Sequence, residues 1–217
     1  PRVPVFDANV GVGHRQDHPA PFDGPDSLLA ELDRHGVSRA LVYPVQGEVI
    51  SPVEANDSLD GWTAGSQGRL VPLHMLGPRP DSLAQLQGLR ASGRLGCVRL
   101  MDAGNLGIPV APWVFGEALA WLRAEGLPLW VSLADNPLTE VVETLRQYPG
   151  LDTVLMGAHY THASVVRPLL RCLPGARLEL SRYEVMGEVE SLVGEFGAGR
   201  LVYGSYYPRY AMGPVLH

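Results

Sequence analysis

The chain has 217 residues, 46% of them hydrophobic and 18% charged, with a formal charge of −6; because one α/β barrel commonly fills about 250 residues, a single domain over 1–217 is expected. No apolar run approaches the roughly 18 residues of a membrane span, and no basic stripe marks a nucleic-acid surface, so the expected partner is a small molecule, with a homo-oligomer left open. Every one of the 17 basic residues is arginine, which excludes a Schiff-base lysine, a P-loop lysine and a carboxylated-lysine metal bridge.

Taken in chain order, short apolar runs too brief for helices predict strands at Val3–Val10, Arg39–Val45, Leu70–Leu76, Cys97–Met101, Leu127–Leu133, Thr153–Ala158, Arg177–Ser181 and Leu201–Ser205. Between them, helical spacing of apolar residues predicts helices at Asp26–His35, Val53–Thr63, Asp81–Ala91, Trp113–Ala124, Leu138–Gln147, Ser164–Cys172 and Val185–Phe196. Gly36, Gly68, Gly93, Gly126, Gly150, Gly175 and Gly199 each fall between a helix and the next strand, where a left-handed residue ends a helix at low cost. Eight strands alternating with helices close most simply, through right-handed crossovers, into an α/β fold of the (β/α)8 TIM-barrel type; an open doubly wound sheet is the alternative. Only Ala211–His217 remain for an eighth helix, so the last helix is read as absent or truncated, or another element seals the barrel.

The chain opens without a charged segment leading into an apolar one, so no retained secretory signal is expected and the reading is cytoplasmic, a leader trimmed before Pro1 remaining open. Cys97 and Cys172 lack a CxxC spacing and are expected to be reduced and buried. Trp113 with Trp121, and Leu192 with Phe196, are expected in the core.

In a barrel, chemistry sits at the C-terminal strand ends. Strand 1 offers Asp7, Asn9 and Gly11 on one face by the period of two. Later tips offer His74, Arg99, Asp102, Ser132, Asp135, His159, His162, Glu179, Ser181, Tyr183, Tyr206 and Tyr207. Asp7, His159 and Glu179 are the candidate catalytic residues, suited to moving protons; Asn9, Arg99, Tyr183 and Tyr206 are the candidate substrate-binding residues, with Arg99 able to grip a carboxylate through two parallel hydrogen bonds. Each also has a structural reading: Asp7 and Asn9 capping a glycine-rich turn, Arg99 and Glu179 pairing as buried charges, His74 as a core histidine, Tyr206 and Tyr207 plugging the mouth.

Several segments carry a resemblance. FDANVGVG resembles the opening D-x-H-x-H strand of the amidohydrolase-related metal-dependent hydrolases, in the branch of the amino-carboxymuconate-semialdehyde decarboxylase-like enzymes, and RLVYGSYYP resembles that family's closing R-l-l-f-G-S-D-y-P. ANDSLDGWTAGSQGRLVPLHML, GLPLWVSL and YPGLDTVLMGAH resemble, in order, its Asn-containing helix leading into r-f-v-g, its g-l-P-v-v-i-H and its y-P-g-l-k-i-v-l-a-H. The resemblance implies a TIM barrel and hydrolysis or decarboxylation of a small carboxylated or cyclic substrate, with zinc or manganese as the family's metal. The family's metal positions, however, are held here by Asn9, Gly11, Ser132 and Tyr206, and His159 alone remains as a matching ligand. No cofactor is therefore expected. Three readings follow: an enzyme acting without metal or with a rebuilt site, an inactive barrel that binds a small molecule or a protein, or an enzyme whose ligands come from His14, His18, Asp135, His159 and His162.

Overall fold

The structure is a computed structural model that describes residues 3–15 and 19–213. His18 and residues 214–217, which hold most of the expected eighth-helix turn, lie outside the described residues. The chain forms two compact units, residues up to 101 together with those from 203 onward, and residues 102–202.

In the first unit, β1 (Val5–Val12), β2 (Val37–Pro44) and β3 (Leu70–Pro72) pair in parallel in that order, and β4 (His74–Leu76) pairs in parallel with β5 (Val98–Leu100). Residues 203–207 run along the other edge of β1: Ala8 N–H donates to Tyr203 O at 3.1 Å and Gly11 N–H to Tyr207 O at 2.6 Å. The first strand therefore lies beside the segment that follows the last one, as a barrel requires. Helix α1 (Pro25–Arg34) opens on proline with Asp26 in its first turn and Arg34 in its last, which suits the helix dipole, and buries Leu28 and Leu32. These two leucines join Val10, Val12, Phe22, Val42, Leu59 and Met212 in one core.

The run predicted as one strand, Leu70–Leu76, is two, because Pro72 has no N–H to continue the ladder. Beyond the break Asn56 pairs with β4: its Oδ1 accepts from Met75 N–H at 2.7 Å and its Nδ2 donates to Met75 O at 2.9 Å, as a neighbouring strand would. The helix predicted at Val53–Thr63 is likewise two, α2 (Pro52–Asp57) and α3 (Leu59–Thr63); between them Ser58 turns its hydroxyl onto Ala55 O at 2.7 Å. Helix α4 (Pro80–Ala91) follows β4.

In the second unit, α5 (Pro112–Glu125), α6 (Leu138–Leu145), α7 (Ala163–Cys172) and α8 (Glu188–Phe196) alternate with parallel β6 (Leu129–Ser132), β7 (Thr153–Met156), β8 (Ala176–Glu179) and β9 (Leu201–Val202). Gly126 ends α5 in the left-handed region at φ 64°. Gly175 and Gly199 do not have positive φ, because α7 ends through Leu173 at φ −119° and Gly197, at φ 85°, takes the turn after α8.

Two core expectations are corrected. Trp113 is 81% exposed and Trp121 only partly buried; eight residues along a helix rotate a side chain by about 80° past two full turns, so the buried stripe of α5 is Phe115, Ala118, Leu119 and Leu122. Phe196 is also only partly buried, while Leu192 is in the core. Cys97 is buried, its thiol pushed up to about 12 by burial, but Cys172 is exposed, off the α7 stripe of Val166, Leu169 and Leu170.

Candidate functional site

The first unit brings its strand tips together around a buried ion pair. Arg99, on β5, has no solvent exposure; its Nη2 donates to Glu48 Oε1 at 3.0 Å and its Nη1 approaches Asn9 Oδ1 at 3.5 Å. The guanidinium carbon lies 3.8 Å from the centre of the Tyr43 ring and 5.7 Å from that of Tyr206, a stacked arrangement that favours arginine over lysine. Tyr43, at the end of β2, donates its hydroxyl to the same Glu48 Oε1 at 2.9 Å. The other glutamate oxygen, Oε2, accepts from Arg15 Nη1 at 3.1 Å and lies 3.6 Å from Arg209 Nη2. One carboxylate thus bridges a buried arginine and two arginines that reach solvent, with side chains 27% and 19% exposed.

Local chain features fix this geometry. Gly11 lies so close to β2 that an added Cβ would sit 2.6 Å from Val45 Cγ1 and 3.2 Å from the Tyr43 hydroxyl. Glu48 sits in the short 3-10 turn Val45–Glu48, directly after β2. Tyr206 is fully buried at φ 56°, a left-handed conformation that costs a non-glycine residue of order 1 kcal/mol or more and persists only when its surroundings hold it. Its hydroxyl accepts from Arg209 Nη1 at 2.6 Å, and the Arg209 guanidinium stands 4.7 Å over its ring.

Asp7 stands beside this cluster on β1. Its Oδ1 accepts from Asn9 N–H at 3.0 Å and from Ser205 N–H at 2.9 Å, tying the last segment to the first strand. Its Oδ2 is buried without a hydrogen-bond partner among the described residues. Burial pushes its carboxyl up to about 6, against the opposing hydrogen bonds from Ser205 and Asn9. The predicted trio Asp7, Asn9 and Arg99, with Tyr206, is thus brought together. Glu48, Tyr43, Arg15 and Arg209 are the members that the sequence reading missed.

His74, on β4, is buried, and burial pulls its imidazole down to about 4; its Nδ1 has no hydrogen-bond partner among the described residues. It is a neutral core histidine. His14 Nδ1 accepts from Ala20 N–H at 3.0 Å.

The second unit holds the remaining candidates. Glu179 is fully buried at the end of β8 and accepts from Ser181 N–H and Oγ–H, each at 2.8 Å. Ser132 donates to Asp135 at 2.6 Å. The His159 N–H donates to His162 Nδ1 at 3.0 Å, and the His159 ring packs on Tyr160 at 3.9 Å between centroids. Tyr183 is buried, with its hydroxyl 3.4 Å from Glu188.

No family model matches the sequence, and no curated protein does either. Solved structures do match in fold. A TIM-barrel protein of uncharacterised function from Bordetella bronchiseptica is 15% identical at a TM-score of 0.77, covering 99% of this chain and 89% of its own. A 5-carboxyvanillate decarboxylase from Sphingomonas paucimobilis is 14% identical at 0.73, over 99% and 92% of the two chains. An amidohydrolase from Burkholderia multivorans, solved with bound zinc, is 15% identical at 0.65, over 95% and 85%. The fold of this chain is accordingly the α/β TIM barrel that the strand and helix alternation predicts.

Proposed function

We propose that this chain is a diverged amidohydrolase-superfamily barrel that hydrolyses or decarboxylates a small carboxylated substrate at the strand tips of its first unit, with a fixed arginine cation standing where the family keeps its metal. The observation that carries the reading is Arg99, wholly buried, stacked on Tyr43 and directed at Asn9 and Glu48. The fold likeness to a decarboxylase of an aromatic carboxylate and to a zinc-bound amidohydrolase supports the substrate class and the ancestry.

The donors described at the strand-1 tip argue against a divalent metal there. An imidazole on residue 11 would need a Cβ in the space of Val45 and Tyr43, and the amide oxygen of Asn9 faces a guanidinium rather than an open cavity. Among the described residues no group of three or more histidines, cysteines, aspartates or glutamates is placed to hold an ion. The chain's own groups would therefore do the work. Arg99 supplies a positive charge whose orientation is set by Tyr43 and Glu48 before substrate arrives, so no reorganisation is needed as anionic charge develops. Asp7, with its carboxyl near 6, exchanges a proton near neutral pH, as a general acid or base must.

A second reading has its own support. The Arg99 guanidinium is already engaged by Glu48 and has the fully buried Tyr206 ring packed near it, which also suits an inactive barrel that only binds a carboxylate. The test is a panel of aromatic mono- and dicarboxylates and lactones incubated with chelator-treated protein, with carbon dioxide and ring-opened product measured. Turnover supports the enzyme, binding without turnover supports the inactive barrel, and neither binding nor turnover sinks both.

A further inference from the structure

Outside the buried pair lies a cavity of about 410 Å³, lined by Gly13, Arg15, Pro19, Pro21, Pro208 and Arg209. Its size suits a small-molecule ligand. Its walls are chemically divided. Proline rings and Ala20 offer apolar surface, while the charged part is two guanidiniums. Both arginines are held from behind by the same atom, Glu48 Oε2, and Arg209 is further braced by the Tyr206 hydroxyl. Neither is a loose surface side chain: the Arg209 side chain is about a fifth exposed and that of Arg15 just over a quarter, with each head held by a buried carboxylate whose own position is set by Arg99 and Tyr43.

We infer that Arg15 and Arg209 are the recognition residues of this protein, and that the cavity they line takes a carboxylate carried on a flat apolar ring. The inference names the recognition residues for the small-carboxylate function proposed above and rests on that reading. Three guanidiniums converge on the Glu48 carboxylate, so the site already displays the geometry of a carboxylate held by several arginines. A ligand carboxylate entering the cavity meets Arg15 and Arg209 from the solvent side and shares their donors with Glu48 Oε2, and its ring rests on Pro19, Pro21 and Pro208. Guanidinium forks favour the planar carboxylate, and the proline walls favour a ring over an extended chain.

The experiment is equilibrium binding by calorimetry with benzoate, benzyl alcohol and inorganic phosphate, on the wild type and on Arg15→Met, Arg209→Met and the double variant. Methionine keeps the apolar stem of the side chain, and circular dichroism confirms that each variant folds. The expected result is that benzoate binds the wild type, each single variant loses at least tenfold in affinity, the double variant shows no measurable binding, and benzyl alcohol does not bind. Benzoate affinity unchanged in both single variants would overturn the assignment while leaving the carboxylate function standing. Phosphate binding more tightly than benzoate would overturn the carboxylate class, and no binding of any of the three would overturn the site, while the proposed function stands or falls on the wider carboxylate and lactone panel.

Discussion

Replacing Asp7 by Asn gives a direct reading of the strand-1 tip. The amide keeps an oxygen to accept from Asn9 and Ser205 N–H but cannot ionise. Burial raises the wild-type carboxyl from 3.8 to about 6. A carboxyl with a raised folded-state pKa is bound to its proton more tightly in the folded chain, so its favourable contribution is complete below pH 3.8 and is lost as pH rises through about 6. At 1.36 kcal/mol per unit the loss is about 3 kcal/mol, an order-of-magnitude figure. The stability of the wild type relative to Asp7→Asn, taken from urea denaturation at a series of pH values from 3.5 to 8, should therefore fall by about 3 kcal/mol across this window and be flat above it. A pH-independent difference, or one that favours the wild type at high pH, would mean that a cation compensates Asp7 and that its carboxyl is not poised for proton exchange.

His74→Asn should show the opposite slope: with the folded-state imidazole lowered from 6.5 to about 4, the wild type gains relative to the variant as pH rises from 4 to 6.5, by about 3 kcal/mol in the same denaturation series. Arg99→Met strands the buried carboxylate of Glu48 on one side and should cost about 3–5 kcal/mol of stability, with part of it recovered in the double variant with Glu48→Gln, measured as a double-mutant cycle. Gly11→His, which would place an imidazole at the strand-1 tip, should destabilise by about 1–3 kcal/mol through overpacking against Val45 and Tyr43, without gain of bound zinc by metal analysis.

Much of this molecule was legible in its sequence because barrel strands are buried on both faces and read as short apolar runs. The strand and helix positions follow, with splits where Pro72 and Ser58 act on the backbone. Arg99 was legible as a charge inside an apolar run, which must be paired or face a polar cavity. Its partner Glu48 was not, because it stands past the apolar run that marks the second strand, in the short turn Val45–Glu48, where a single acid carries no periodic signal. Arg15 and Arg209 look like ordinary loop charges until the fold sets them on one glutamate. The left-handed backbone of Tyr206 leaves no mark in composition or spacing, since it is imposed by the packing around it.

On the function proposed here, fixed arginine cations rather than a metal hold a small carboxylate at these strand tips. The measurement that tests it most directly is calorimetric titration of benzoate into protein stripped with a chelator, and again after zinc is restored. The same affinity is expected in both states. Binding that appears only once zinc is present would contradict it.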